Sequence, residues 1–171
     1  METRIHPSHE ELAFFADRGG YMTSVMWIPH TDQYEDALAI VRDKDIVVDM
    51  GCGDLRFSLM LANRCRKVYA IDFNQWVLRK SLAVIGWSLP RNLVVICADW
   101  RDFPIPIDAT KIICLVNFPI DCLPKAWFAN DVKVYCGNQN GFTRVSLASI
   151  RRDSRGGSTC GYPSPRRPTI R

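Results

Sequence analysis

Three carboxylates follow short apolar runs in this chain. Asp49 follows Ile46-Val47-Val48, Asp72 follows Val68-Tyr69-Ala70-Ile71, and Asp99 follows Leu93-Val94-Val95-Ile96-Cys97-Ala98. Asp49 opens the string Asp49-Met50-Gly51-Cys52-Gly53-Asp54. Two glycines around one residue let the backbone turn sharply and leave bare main chain for a bulky or flat ligand to lie against. A helix starting after that turn directs its free N–H groups into the same space. An acid directly before the turn suits a cationic ligand better than a pyrophosphate. A dinucleotide site would also want a third glycine where Arg56 stands. Asp72, at the spacing it keeps from Gly51, could accept from both hydroxyls of a ribose, and an ionised group accepts more strongly than a neutral one. Asp99 could accept from a purine amine, with the Trp100 indole against the base. Each feature also has a plainer reading: a turn that binds nothing, Asp72 or Asn74 capping a helix, Trp100 in the core. Cys52 sits where a helix N-terminus lowers a thiol's pKa, although a small residue filling the turn is the simpler account.

These residues need elements that bring them to one place. Ile46–Val48, Val68–Ile71, Leu93–Cys97 and Ile112–Val116 are near-continuous apolar runs that predict strands. Between the first two, Phe57, Leu59, Met60 and Leu61 keep helical spacing, and Trp76 to Ile85 does so before Gly86. Strands alternating with helices predict an α/β domain with a mostly parallel sheet covered on both faces. Right-handed crossovers place the strands' carboxyl ends on one edge, the edge where open α/β sheets bind ligands. A fifth strand is expected at Val132–Cys136 and a sixth at Thr143–Ile150.

Composition sets the limits. With 171 residues, 47% hydrophobic and 23% charged, the chain suits one globular domain and excludes collagen-like, largely disordered and disulfide-scaffold classes. No apolar run reaches the length of a membrane helix, and the polar start, Met1 to Glu11, does not read as a signal peptide. Seven cysteines (Cys52, Cys65, Cys97, Cys114, Cys122, Cys136 and Cys160) include no C-x-x-C pair. Reduced, mostly buried thiols in a cytoplasmic protein are expected, with no metal site. Residues 1–150 are expected to form the domain, with 1–45 a helical lead-in and 46–116 the ligand-binding core. From Arg151 onward six arginines meet one acid, Asp153. This 151–171 segment is poor in large apolar groups and is expected to be a disordered basic tail. Such a tail could touch nucleic-acid phosphates weakly or be inert. His6, His9 and His30 all precede the sheet without a visible partner, and none is given a catalytic role.

Val47-Val48-Asp49-Met50-Gly51-Cys52-Gly53-Asp54, Tyr69-Ala70-Ile71-Asp72 and Cys97-Ala98-Asp99-Trp100 resemble the successive motifs of class I S-adenosylmethionine-dependent methyltransferases. The resemblance covers about residues 25–116. It implies a three-layer Rossmann-like sandwich. Asp49, Gly51, Cys52 and Gly53 would face the methionine part of the cofactor, Asp72 the ribose hydroxyls, and Asp99 and Trp100 the adenine. Asn117, just past the fourth strand, falls where the family places groups near the transferred methyl. Val25-Met26-Trp27-Ile28-Pro29-His30-Thr31 is similar to a segment of small archaeal-type protein-lysine methyltransferases, which implies a protein or other macromolecular methyl acceptor. The chain departs from the family in three places. Leu55 stands where a third glycine is common. Asn117-Phe118-Pro119-Ile120 only faintly echoes Asn-Pro-Pro-Tyr. The C-terminal strands look shortened, since a complete fold has seven, the last two forming an antiparallel hairpin at the sheet edge. That shortening leaves open a partner that binds the cofactor without catalysis, and another nucleotide-binding Rossmann-like protein remains the further alternative.

Overall fold

The computed structural model describes residues 31–100, 103–116, 123–128, 131–138 and 141–146. It opens with helix α1 (Thr31–Ala39) and continues β1 (Ile46–Met50), α2 (Arg56–Ala62), β2 (Lys67–Asp72), α3 (Gln75–Ile85), a 3₁₀ turn (Gly86–Ser88), β3 (Leu93–Cys97), β4 (Lys111–Cys114), a second 3₁₀ turn (Lys125–Phe128), β5 (Lys133–Asn138) and β6 (Gly141–Val145). The strands form one six-stranded sheet in the order β3-β2-β1-β4-β5-β6. β1 to β5 pair in parallel and β6 runs antiparallel to β5. This is the mostly parallel, Rossmann-like α/β architecture that the alternation of strands and helices predicts.

Burial follows position in the sheet. Every residue of central β1 is buried, which is why Ile46–Met50 reads as an unbroken apolar run with one acid. On the edge strand β3, Leu93 is buried while Val94 and Cys97 are exposed. One face packs on α1, α2 and α3 through Tyr34, Ala37, Phe57, Leu61 and Leu78 against Val47, Val68 and Ile113. The other face gathers Val48, Met50, Ile71 and Ile112 under Trp100, Leu123 and Trp127. Among the described residues, connecting segments and a 3₁₀ turn cover this second face in place of an α-helix.

Two local devices fix the helices. The Asn74 side chain accepts from the Val77 amide at 3.2 Å and caps α3, and Gly86 ends that helix at φ 57°. At the start of the sheet, Asp45 and Lys111 form an ion pair with both side chains buried, and the Thr110 hydroxyl donates to Asp45 at 3.2 Å. Burial alone would raise the Asp45 carboxyl. The Lys111 bond, the Arg42 amide and the Thr110 hydroxyl outweigh it and hold the group below its ordinary value.

The C-terminal end differs from expectation. The sixth strand begins at Gly141, ahead of Thr143, and runs antiparallel to β5 with Asn138 set against Gly141. β5 and β6 thus pair antiparallel at this side of the sheet, and among the described residues the sheet holds the six strands the sequence showed, without a seventh. The Asn-Gln-Asn-Gly run at 138–141 is rich in residues that tolerate tight turns. The tail from Arg151 and most of the lead-in lie outside the described residues.

Candidate functional site

The carboxyl ends of β1, β2 and β3 lie side by side, because the parallel register sets Met50 against Ile71 and Asp72 against Cys97. The connections leaving those three ends build the rim. Gly51 and Cys52 donate their amides to the Ile71 carbonyl at 2.8 and 3.1 Å. This bends the chain over the end of β2. Gly51 takes φ +76°, and a Cβ there would lie 2.8 Å from the Val116 Cγ1, so the turn requires glycine on both counts. Gly53 also has positive φ, at 54°.

Asp72 joins the two connections. Its Oδ2 accepts from the Gly53 amide at 2.9 Å and its Oδ1 from the Asn74 amide at 2.8 Å. The residue is buried, and desolvation pushes its carboxyl up despite these amides. Each oxygen keeps acceptor capacity beyond one N–H. Asp49 is sealed more completely. It accepts from the Ser58 hydroxyl at the start of α2. Desolvation raises its pKa to about 7, the Ser58 bond counters this, and the charges of Asp72 and Asp54 add to the rise. A buried carboxylate beside two others is poised for a cationic partner.

Three features of the rim were not evident in the sequence. Ser58 is a small polar residue inside the apolar run Phe57 to Ala62, and that contrast was its signal. Arg56, noted only as a missing glycine, folds its Nε onto Asp54 at 2.9 and 2.7 Å. Tyr34 of α1 packs on Phe57 with ring centroids 5.5 Å apart. Burial drives its phenol well above its ordinary range, Arg56 opposes this, and Asp54 and Asp49 add to it. Leu55 is left-handed at φ 68° with its side chain fully buried. The turn thus keeps a left-handed residue at the place where the family often carries glycine.

The remaining sequence candidates fall as follows. Cys52 is buried, and desolvation, then Asp49, Asp72 and Asp54, push its thiol well above the ordinary value. It fills the turn, and its burial works against the thiolate that a nucleophile would need. Asp99 stands beyond β3 and is half-buried. Trp100 is 8% exposed and meets Trp127 edge-on at 5.4 Å. Packing beneath the second face accounts for it without a ligand. Asn117 lies outside the described residues. Of the described cysteines Cys52, Cys65, Cys97, Cys114 and Cys136, none is in a disulfide. Among the described residues no three His, Cys, Asp or Glu side chains gather as a metal site would need. No described helix is long and apolar enough to cross a membrane. A cleft of about 510 Å³ beside Lys133 and Arg144 sits at the far end of β5, away from this rim.

No family model and no curated protein matches the chain. Solved structures do. The chain is similar to Trm5b from Pyrococcus abyssi at 21% identity and a TM-score of 0.53, over 62% of this chain and 33% of that one. It is similar to a dimethyladenosine transferase from Plasmodium falciparum at 20% identity and 0.50, over 61% and 39%. It is also similar to phosphoethanolamine N-methyltransferase 1 from Haemonchus contortus, solved with phosphoethanolamine and S-adenosylhomocysteine, at 18% identity and 0.50, over 63% and 25%. The chain spans between a quarter and two fifths of the length of these proteins. What they share with it is the fold.

Proposed function

We propose that the chain is an S-adenosylmethionine-dependent methyltransferase that binds its cofactor along the carboxyl rim of β1, β2 and β3. The observation that carries this reading is the buried Asp49 carboxylate. It sits with Asp72 and Asp54 around a glycine turn held over the sheet edge. The rim suits the group chemically. A bound ammonium or sulfonium would draw the buried Asp49 into its charged form, Gly51 and Gly53 offer bare backbone, and Asp72 has lone pairs left for hydroxyls. Asp99 is assigned to the adenine amine and Trp100 to the edge of the ring, on the strength of the sequence resemblance.

Bound S-adenosylmethionine supplies an electrophilic methyl on sulfur. The chain's own residues bind, align and keep the space dry, and alignment alone can contribute several kcal/mol, up to about 7–11 in ideal cases. An amine acceptor needs only to shed its proton, which desolvation favours. We assign the acceptor to a macromolecule carrying an amine, with a protein lysine the first to test, and place Asn117 near the transferred methyl from its position after β4. The Arg-rich 151–171 segment remains a proposed weak contact for phosphates, and the cytoplasm the proposed location.

Calorimetry with S-adenosylhomocysteine and with NAD tests the cofactor. Binding of the first and not the second is expected, and the reverse would sink the proposal. Asp72→Asn, which keeps one acceptor oxygen, should weaken binding by about 1–3 kcal/mol. Unchanged affinity would remove Asp72 from the site. A labelled methyl donor added to lysate should mark protein bands. Label that survives protease treatment but disappears with nuclease would overturn the lysine assignment.

A further inference from the structure

The opposite edge of the sheet has a different chemistry. Three turns meet there: 42–45 before β1, 63–66 before β2, and 86–92 before β3. They are stitched together. The Arg66 amide donates to the Asp45 carbonyl at 2.9 Å and the Val68 amide to the Asn92 carbonyl at 2.8 Å. The Asn92 side chain donates to the carbonyls of Ala62 and Cys65 at 2.8 and 3.0 Å. On these turns Arg42, Lys44, Arg64, Arg66 and Arg91 are all exposed. Asp45 is buried with Lys111, and Asp43 is the exposed acid among them. The patch is therefore strongly positive.

Cations at helix carboxyl ends are partly explained by the helix dipole, and α2 and α3 do end at this edge. The dipole does not explain Trp87. That indole is fully exposed, at 106% of its reference area, four positions before Arg91 and one helical turn after the exposed Val84. A large aromatic left in water on the same turn as an exposed arginine, with that turn bonded to the one carrying Arg64 and Arg66, is the combination that holds unpaired bases: cations track the phosphates while the ring stacks on a base.

We propose that this amino edge of the sheet binds single-stranded nucleic acid, with Arg64, Arg66 and Arg91 on the phosphates and Trp87 stacked on a base. A duplex fits the patch poorly, because its bases are already stacked on one another. The site stands on the face opposite the acidic rim and does not depend on the cofactor assignment.

The test uses the full chain and fluorescein-labelled strands of about 12 nucleotides, oligo-U and oligo-dT, within the usual footprint of about 4–16. Anisotropy is read between about 50 and 200 mM salt. Binding of either strand that the variants below weaken supports the proposal, and binding they leave untouched belongs to the 151–171 segment and overturns it. Arg64→Gln/Arg66→Gln/Arg91→Gln should flatten the slope of log affinity against log salt by about 2, at about 0.7 per phosphate contact on single strands. Trp87→Ala should weaken binding roughly 5- to 150-fold with the slope kept, and Trp87→Phe should restore most of it. Equal affinity for the matching duplex overturns the proposal, as does unchanged binding in either the triple variant or Trp87→Ala. Competition by poly-glutamate as strong as by unlabelled oligo-U would overturn it in favour of an acidic protein partner.

Discussion

A carboxyl sealed at the end of β1 and held by the Ser58 hydroxyl is costly to ionise. In the unfolded chain Asp49 titrates near the ordinary value of about 3.9, whereas in the fold its pKa is pushed up to about 7. Between those two values the folded state holds a proton that the unfolded state has released. Stability therefore falls as pH climbs from about 4 to about 7, by an amount on the order of 4 kcal/mol, and the contribution is gone above that range. Asp72 is raised as well and acts in the same direction. Asp49→Asn cannot ionise, so its thermal unfolding midpoint should vary less between pH 5 and pH 8 and should exceed the parent's at pH 8. A variant that follows the parent's pH profile would refute the buried carboxylate. The type and spacing of Asp49 and Asp72 were legible in the sequence. The state of Asp49 was not, because it depends on Ser58 and on how completely the first face closes over both.

Among the elements, the turn from β1 to α2 shows what local sequence can and cannot convey. Gly51 announces a turn, but its need for glycine comes from Val116 beyond β4, a neighbour no local pattern reveals. Gly51→Ala should cost about 2–5 kcal/mol, combining left-handed backbone strain of about 1–2 with overpacking of about 1–3. Adding Val116→Ala should recover the steric share while leaving the backbone share. Urea denaturation of both variants measures the split, and full recovery in the double variant would contradict a strained backbone. Leu55 gives no sign of left-handedness in the sequence, since an apolar residue with a buried side chain is ordinarily found in the right-handed or extended regions. The strands were easier. β1 to β4 stand where the apolar runs predicted them, because β1 and β4 are buried throughout and β2 and β3 are still unbroken runs rich in β-branched residues. The antiparallel β5–β6 pair was less visible, since its strands mix apolar and polar residues.

Across the whole molecule, the buried Asp45–Lys111 pair ties the chain before β1 to the first residue of β4, 66 residues away in sequence but on the neighbouring strand. Nothing in either local segment advertises it. Lys111→Met should destabilise the fold by about 3–5 kcal/mol by leaving a buried charge unpaired, whereas Asp45→Leu/Lys111→Met should come close to the parent. Equal losses in the single and double variants, read from denaturant midpoints, would show that the pair's charges are not the reason for its burial. The described residues also set carboxyls and cations apart along the strand direction, with Asp49, Asp72 and the Arg56-paired Asp54 at one end and Arg42, Lys44, Arg64, Arg66 and Arg91, with Asp43 among them, at the other. Such a separation is a permanent electric moment. In the field of a polyanion such a moment feels a torque before any contact is made, which turns the amino ends of these strands toward the polymer, as a needle is turned by a magnet.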